Sequence, residues 1–160
     1  MNIMGIDLSL TATGIVAITD NLSTIYLQEL IKSSPKIDQK MIDRICEIRN
    51  KVMDVIELVR PDRIVIEGLS YGSKNTSSLC DLAKLNFAIE VYCRNMGIPY
   101  EIVPPTTLKK FITGKGNCKK DLMLMKVFKR WGAEFEDDNL CDAFALCKYG
   151  EVKIDTEKKE

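Results

Sequence analysis

Apolar and polar positions along this chain switch between two periods, and the switches mark its elements. MNIMGID (residues 1–7) is an apolar run ending on Asp7, LSLTATG follows as a turn of small and hydroxyl residues, and GIVAIT resumes the β pattern. NLSTIYLQEL, after Asp20 and Asn21, reads as a third strand. Together they predict a meander of three antiparallel strands joined by short turns. Between residues 40 and 59 Ile45, Ile48, Val52, Val55, Ile56 and Val59 fall at helical spacing, and Pro61 marks the stop. RIVIEG (63–68) is a strand of three consecutive β-formers that stops on Glu67. The loop GLSYGSKNTSS then leads into a helix over about 78–96, closed by Gly97 and Pro99. This helix carries Leu82, Leu85, Ile89, Tyr92 and Met96 on one stripe and Phe87 and Val91 on another, which a single core face does not need.

IPYEIV predicts a fifth strand, ended by Pro104 and Pro105, and TTLKKFI a short helix. After the TGKGN loop a helix over 119–131 turns Leu124, Val127, Phe128 and Trp131 inward. The last helix starts near Asp138 or Asn139, either a good N-cap, and has Leu140, Ala143, Phe144 and Cys147 at i, i+3, i+4, i+7. The mixed-charge tail from Glu151 is expected to fray. Residues 1–150 thus read as one α/β domain: a mixed five-stranded sheet, three antiparallel strands followed by parallel ones, with helices on both faces.

Two apolar strands that end on acids need one explanation, because an ionised carboxylate in apolar surroundings is costly unless something pairs with it. In such a sheet the first and fourth strands lie side by side, so Asp7 and Glu67 emerge together. Asp138 and Asp142 are four apart on the last helix and share a face. If that helix packs on the same sheet edge, four carboxylates converge, and a hard divalent cation such as magnesium relieves their repulsion. Two such ions suit hydrolysis of a phosphodiester. The plainer readings are that Asp7 caps a turn, Glu67 pairs with a base, Asp138 only caps its helix and Asp142 is solvated.

Composition narrows the chemistry. The 160 residues are 46% hydrophobic and 29% charged, with no stretch apolar enough to span a membrane and no secretion-type N-terminus. Histidine is absent, which excludes histidine-dependent nucleophile systems, and the six cysteines (Cys46, Cys80, Cys93, Cys118, Cys141, Cys147) form no CxxC pair. Reduced thiols in a cytoplasmic protein suit that pattern. Net charge is zero but segregated: residues 109–130 hold eight bases (Lys109, Lys110, Lys115, Lys119, Lys120, Lys126, Lys129, Arg130) against Asp121 alone, and residues 134–142 hold five acids and no base. A basic run beside an acidic cluster suits a polyanion held next to metal, where a lone run would only be a solvated face.

These four segments, GIDLSLTATG, IEGLSYGSKN, TLKKFITGKGNCKKD and DDNLCDAFAL, resemble in order and separation the motifs of RuvC-type Holliday junction resolvases. Those are members of the ribonuclease H-like superfamily, and the likeness, of a compact phage-type version, runs from Ile3 to about Cys147. The resemblance implies a magnesium-dependent endonuclease, with manganese as substitute and two ions per site, that cuts four-way or branched DNA by paired nicks in a host cytoplasm. It implies Asp7, Glu67 and Asp142 as metal ligands. For the fourth, the family's usual acid lies where this chain has Asn139, so Asp138, with Asn139 as an amide-oxygen substitute, is the expected ligand. Lys109 and Lys120 match lysines at the scissile phosphate; Tyr71, offset by one position, matches an aromatic that stacks on bases, unless it is simply buried. Lys74, Lys110, Lys115 and Lys119 are further DNA-binding candidates. Family members are dimers, which suits the two-striped helix 78–96.

The rivals are a RuvC-like nuclease acting on structured RNA, a non-catalytic branched-DNA-binding module, and an actin-like ATPase or sugar kinase, whose two halves 160 residues do not hold.

Overall fold

The computed structural model describes residues 1–19, 24–71 and 75–157. Five strands, β1 (Asn2–Asp7), β2 (Ala12–Thr19), β3 (Ile25–Lys32), β4 (Arg63–Glu67) and β5 (Tyr100–Val103), form one sheet in the order β3-β2-β1-β4-β5. β1 pairs antiparallel with β2, with Asp7 opposite Gly14, and parallel with β4, with Ile6 opposite Ile66. The five helices are α1 (Met41–Val59), α2 (Thr76–Asn95), α3 (Pro105–Thr113), α4 (Lys120–Trp131) and α5 (Asp138–Glu157). The expected mixed sheet with a covered face on each side is therefore what forms.

The central strands read as continuous apolar runs because both faces are covered. Met4, Ile6, Ile64 and Ile66 join the core under α1 and α2, whereas Ile3 and Val65 join the core under α3, α4 and α5. Side chains alternate along a strand, so Asp7 and Glu67 share the parity of Ile3 and Val65 and project toward the face that α5 covers. That helix sits close to the sheet: a methyl added at Gly5 would overlap the Ala143 carbonyl, and one at Gly14 would overlap the Asn139 carbonyl. The Cys147 thiol, on the same helix face, donates to the Val16 carbonyl at 3.2 Å.

Several boundaries differ from the sequence reading. β3 starts at Ile25 and runs on to Lys32, because Ile31 is needed as a buried contact to the α1 side. β5 starts at Tyr100, since Ile98 is taken up by a hydrogen bond to the Cys93 carbonyl around left-handed Gly97. In α4 Val127 is buried and Leu124 and Trp131 pack against the core as expected, whereas Phe128 is 49% exposed and Met123 is buried instead. Where fraying was expected from Glu151, α5 continues to Glu157, with Ile154 buried in the core and Lys148, itself buried, paired with Glu151 at 3.0 Å. The turn at Asp20 and Asn21, and residues 158–160, lie outside the described residues.

Candidate active site

The C-terminal ends of β1 and β4 deliver Asp7 and Glu67 side by side, and the first two turns of α5 bring Asp138 and Asp142 over them. Asp7 is 7% exposed. Burial, then the charges of Glu67 and Asp142, raise its carboxyl well above the ordinary carboxylate range. Burial also raises Glu67, against the pull of its hydrogen bond to Asp7 and of Lys109 and Lys120. Of the pair Asp7 is the more strongly raised, being the more deeply buried. Asp142 is pushed up to about 7, by burial first and by the Glu67 charge second, with Lys109 opposing.

The four acids do not converge equally. Asp138 makes an ion pair with Lys120 at 2.6 Å, and that bond holds the lysine's pKa above its usual value. Among the described residues no group of three acidic, cysteine or histidine side chains stands ready to hold one ion. The donor set is nonetheless all carboxylate oxygen, which suits hard divalent ions that keep several waters.

Asn139 goes elsewhere. Its backbone N–H and its side-chain amide both donate to Asp137 Oδ1, at 2.8 and 2.9 Å, so the cap of α5 is Asp137 and not Asp138 or Asn139. The Asn139 carbonyl rests against Gly14. The amide NH2 is thus engaged in the cap.

Lys109 on α3 and Lys120 on α4 border the same notch as Asp138 and Asp142, a cavity of about 40 Å³. A larger cavity, about 670 Å³ and lined by Leu124, Phe128 and Phe135 among others, contains none of the four acids. A notch this small fits ions and the edge of a phosphate, not a metabolite, whose pockets span roughly 300–1,000 Å³. Lys110, Lys115 and Lys119 are exposed on α3 and on the connection to α4. Tyr71 is 83% exposed in the loop after β4, so it is not a packing residue. Lys74 lies outside the described residues.

Two further residues position the site, Gly14, which closes the GIDLSLTATG motif, and Arg44, which carried no sequence signal. Gly14 allows the first turn of α5 to reach the strand beside Asp7. Arg44 of α1, 5% exposed, donates to the Leu10 carbonyl and, through Nε and Nη2, to Ser33 Oγ at 2.9 Å and the Ser33 carbonyl at 3.1 Å. It thereby ties the turn after Asp7 to the end of β3. Hydrogen bonds among Ser9, Thr11 and Thr13 brace that turn from within.

Carboxylates at the ends of two adjacent central strands, closed by an acidic helix and flanked by lysines, define a ribonuclease H-like protein. The family model described as crossover junction endodeoxyribonuclease RuvC matches residues 3–148. This chain belongs to the RuvC family of nucleases. It is 28% identical over 109 residues, 68% of each chain, to the crossover junction endodeoxyribonuclease RuvC of Brachyspira hyodysenteriae. To that of Allorhizobium ampelinum it is 24% identical over 150 residues, covering 91% of this chain and 86% of the relative. The solved structure of T. thermophilus RuvC in complex with Holliday junction substrate has the same fold, with a TM-score of 0.78 at 20% identity, covering 96% of both chains.

Proposed function

We propose that this protein is a Holliday junction resolvase, a divalent-metal-dependent endonuclease that cuts four-way and related branched DNA by paired nicks. The observation that carries the reading is the placement of buried Asp7 and of Glu67 at the neighbouring ends of the paired strands β1 and β4, with Asp142 of α5 near enough to raise Asp7. Buried acids that repel one another are poor structural choices and good cation ligands. Asp7, Glu67 and Asp142 hold the metal, and Asp138 joins them once Lys120 is drawn to phosphate. Bound Mg²⁺, with Mn²⁺ able to substitute and two ions per site, supplies activation of a water and charge relief at the leaving oxygen. Lys109 and Lys120 place fixed positive charge beside the phosphate as negative charge builds on it. Exposed Tyr71 offers a face on which a junction base stacks, an interaction worth about 1–3 kcal/mol. Lys110, Lys115 and Lys119 hold the backbone, whose phosphates carry no sequence information.

The test is cleavage of four-way DNA, linear duplex and structured RNA, with Mg²⁺ and with chelator. Metal-dependent paired nicks in the four-way DNA are expected. Preferential cutting of RNA would move the substrate class, and binding without cutting in Mg²⁺ would leave only a binding module.

Paired nicks require two sites related by symmetry, and α2 supplies the surface for a dimer. Phe87 is 68%, Val91 38% and Met96 58% exposed on it. Phe87 and Val91 border an open apolar depression of about 480 Å³ together with Met53 of α1. Sedimentation at micromolar concentration is expected to show a dimer, and Phe87→Glu to yield a folded monomer that no longer pairs its nicks. A monomeric parent protein would defeat this interface.

A further inference from the structure

A second basic surface lies on the same edge of the sheet as the carboxylates, on the opposite side from α3 and α4. β3 and β1 are both antiparallel to β2, so β3 ends where β1 ends, with Lys32 opposite Ala12 two residues from Gly14, the partner of Asp7. The connection that leaves β3 is held to the turn after Asp7: the Ser33 N–H donates to the Thr11 carbonyl at 2.8 Å, and Arg44 bridges Ser33 and Leu10. Between this connection and α1 lies a pocket of about 130 Å³, lined by Lys32, Ser33, Ser34, Lys36, Glu47 and Lys51. Three cations and two hydroxyls face one acid there, a set that fits a phosphate. The one acid, Glu47, already accepts from Lys36 at 3.1 Å, standing where an anion would sit. Beyond the pocket the connection turns at Asp38, and Ile37, 94% exposed, protrudes between Lys36 and Lys40.

We propose that this pocket is a phosphodiester subsite that grips one arm of the branched DNA, with Lys32, Lys36 and Lys51 on the backbone. β3 lies two strands from β1, about 10 Å at the usual strand spacing. The pocket lies on the α1 face and Asp7 on the α5 face, so one layer of about 10 Å is added and the span is about 14 Å. A duplex crossing the sheet edge covers that span within about half a turn of its roughly 34 Å pitch. A polyanion fits better than a free anion, because successive phosphates bridge the carboxylate site and the pocket. Arg44 couples the two by fixing both ends of the span. Glu47 sets the strength of the grip by competing with phosphate for Lys36.

This inference rests on the resolvase reading, and the two fail separately: that reading falls if the parent protein cuts no four-way DNA, whereas the subsite is read from binding alone in chelator. Lys32→Ala/Lys36→Ala/Lys51→Ala is expected to weaken the Kd for four-way DNA about 10-fold and to reduce the salt slope by about 2–3. Glu47→Gln is expected to tighten binding several-fold, and Lys153→Ala, toward the far end of α5, to leave it unchanged. Neutral methylphosphonates placed in one arm, about two to five phosphates from the cut on the rise per base pair, should weaken the parent but not the triple variant. Equal weakening of both proteins, or a triple variant that binds with the parent's Kd and salt slope, would overturn the subsite.

Discussion

Asp7→Asn and Glu67→Gln should each lower the single-turnover cutting rate about 10³-fold or more, on the order of 4 kcal/mol of transition-state stabilisation, while four-way DNA still binds. The same changes should make the metal-free protein more stable at neutral pH. Both carboxyls are raised, so their ionised forms are disfavoured in the fold relative to the unfolded chain. Stability associated with such a group is full below the ordinary carboxylate range and is lost as pH rises through the folded-state value, about 7 for Asp142. Thermal unfolding in chelator should therefore show a parent protein that weakens between about pH 4 and 8, by a few kcal/mol at most, and an Asp142→Asn variant with a flatter profile. Mg²⁺ should restore the parent and leave the Asp7→Asn variant nearly unmoved. Full cutting by either single variant would falsify the site; a parent whose stability is flat with pH would refute the mutual repulsion.

Gly14→Ala should cost activity out of proportion to stability. Its methyl meets the Asn139 backbone, which has no rotamer with which to give way. The first turn of α5 must back off, taking Asp138 and Asp142 with it, and a misplacement of about 1 Å is enough for a loss near 10²-fold. Overpacking alone accounts for about 1–3 kcal/mol of destabilisation. Gly150→Ala is the control, since its methyl would lie 2.7 Å from Val65 Cγ2 at the other end of the same helix. It should destabilise to a similar extent and leave the single-turnover rate within a few-fold of the parent. Equal activity losses in the two would assign the Gly14 effect to stability alone.

The acids were legible because burial contradicts charge: three β-formers before Glu67 mark a strand covered on both faces, and an acid at its end has few structural uses. Adjacency of β1 and β4 followed from the meander and the crossovers. The partners of each acid were not legible. Whether Asp138 faces metal or Lys120 depends on side-chain placement across 18 residues of sequence, and the cap at Asp137 was hidden in a run of similar acids. Phe128 was misplaced because it extends the helical stripe of Leu124, Val127 and Trp131 that does meet the core, and only the neighbouring elements decide that Met123 completes it instead. Arg44 looked like any helix-surface base; its burial arises from two loops that pack over it, which no local pattern announces.

The contact between Lys120 and Asp138 has a thermodynamic consequence on the proposed assignment. Each partner is the other's stand-in: the lysine occupies the acid in place of a cation, and the acid occupies the lysine in place of a scissile phosphate. Whichever ligand arrives first breaks the contact and frees the remaining group for the second, so the two bindings are linked with positive cooperativity, and by equal factors in both directions. Because Lys120 is largely exposed, breaking the contact costs about 1 kcal/mol at most, so under this assignment each ligand strengthens the other's binding by a few-fold.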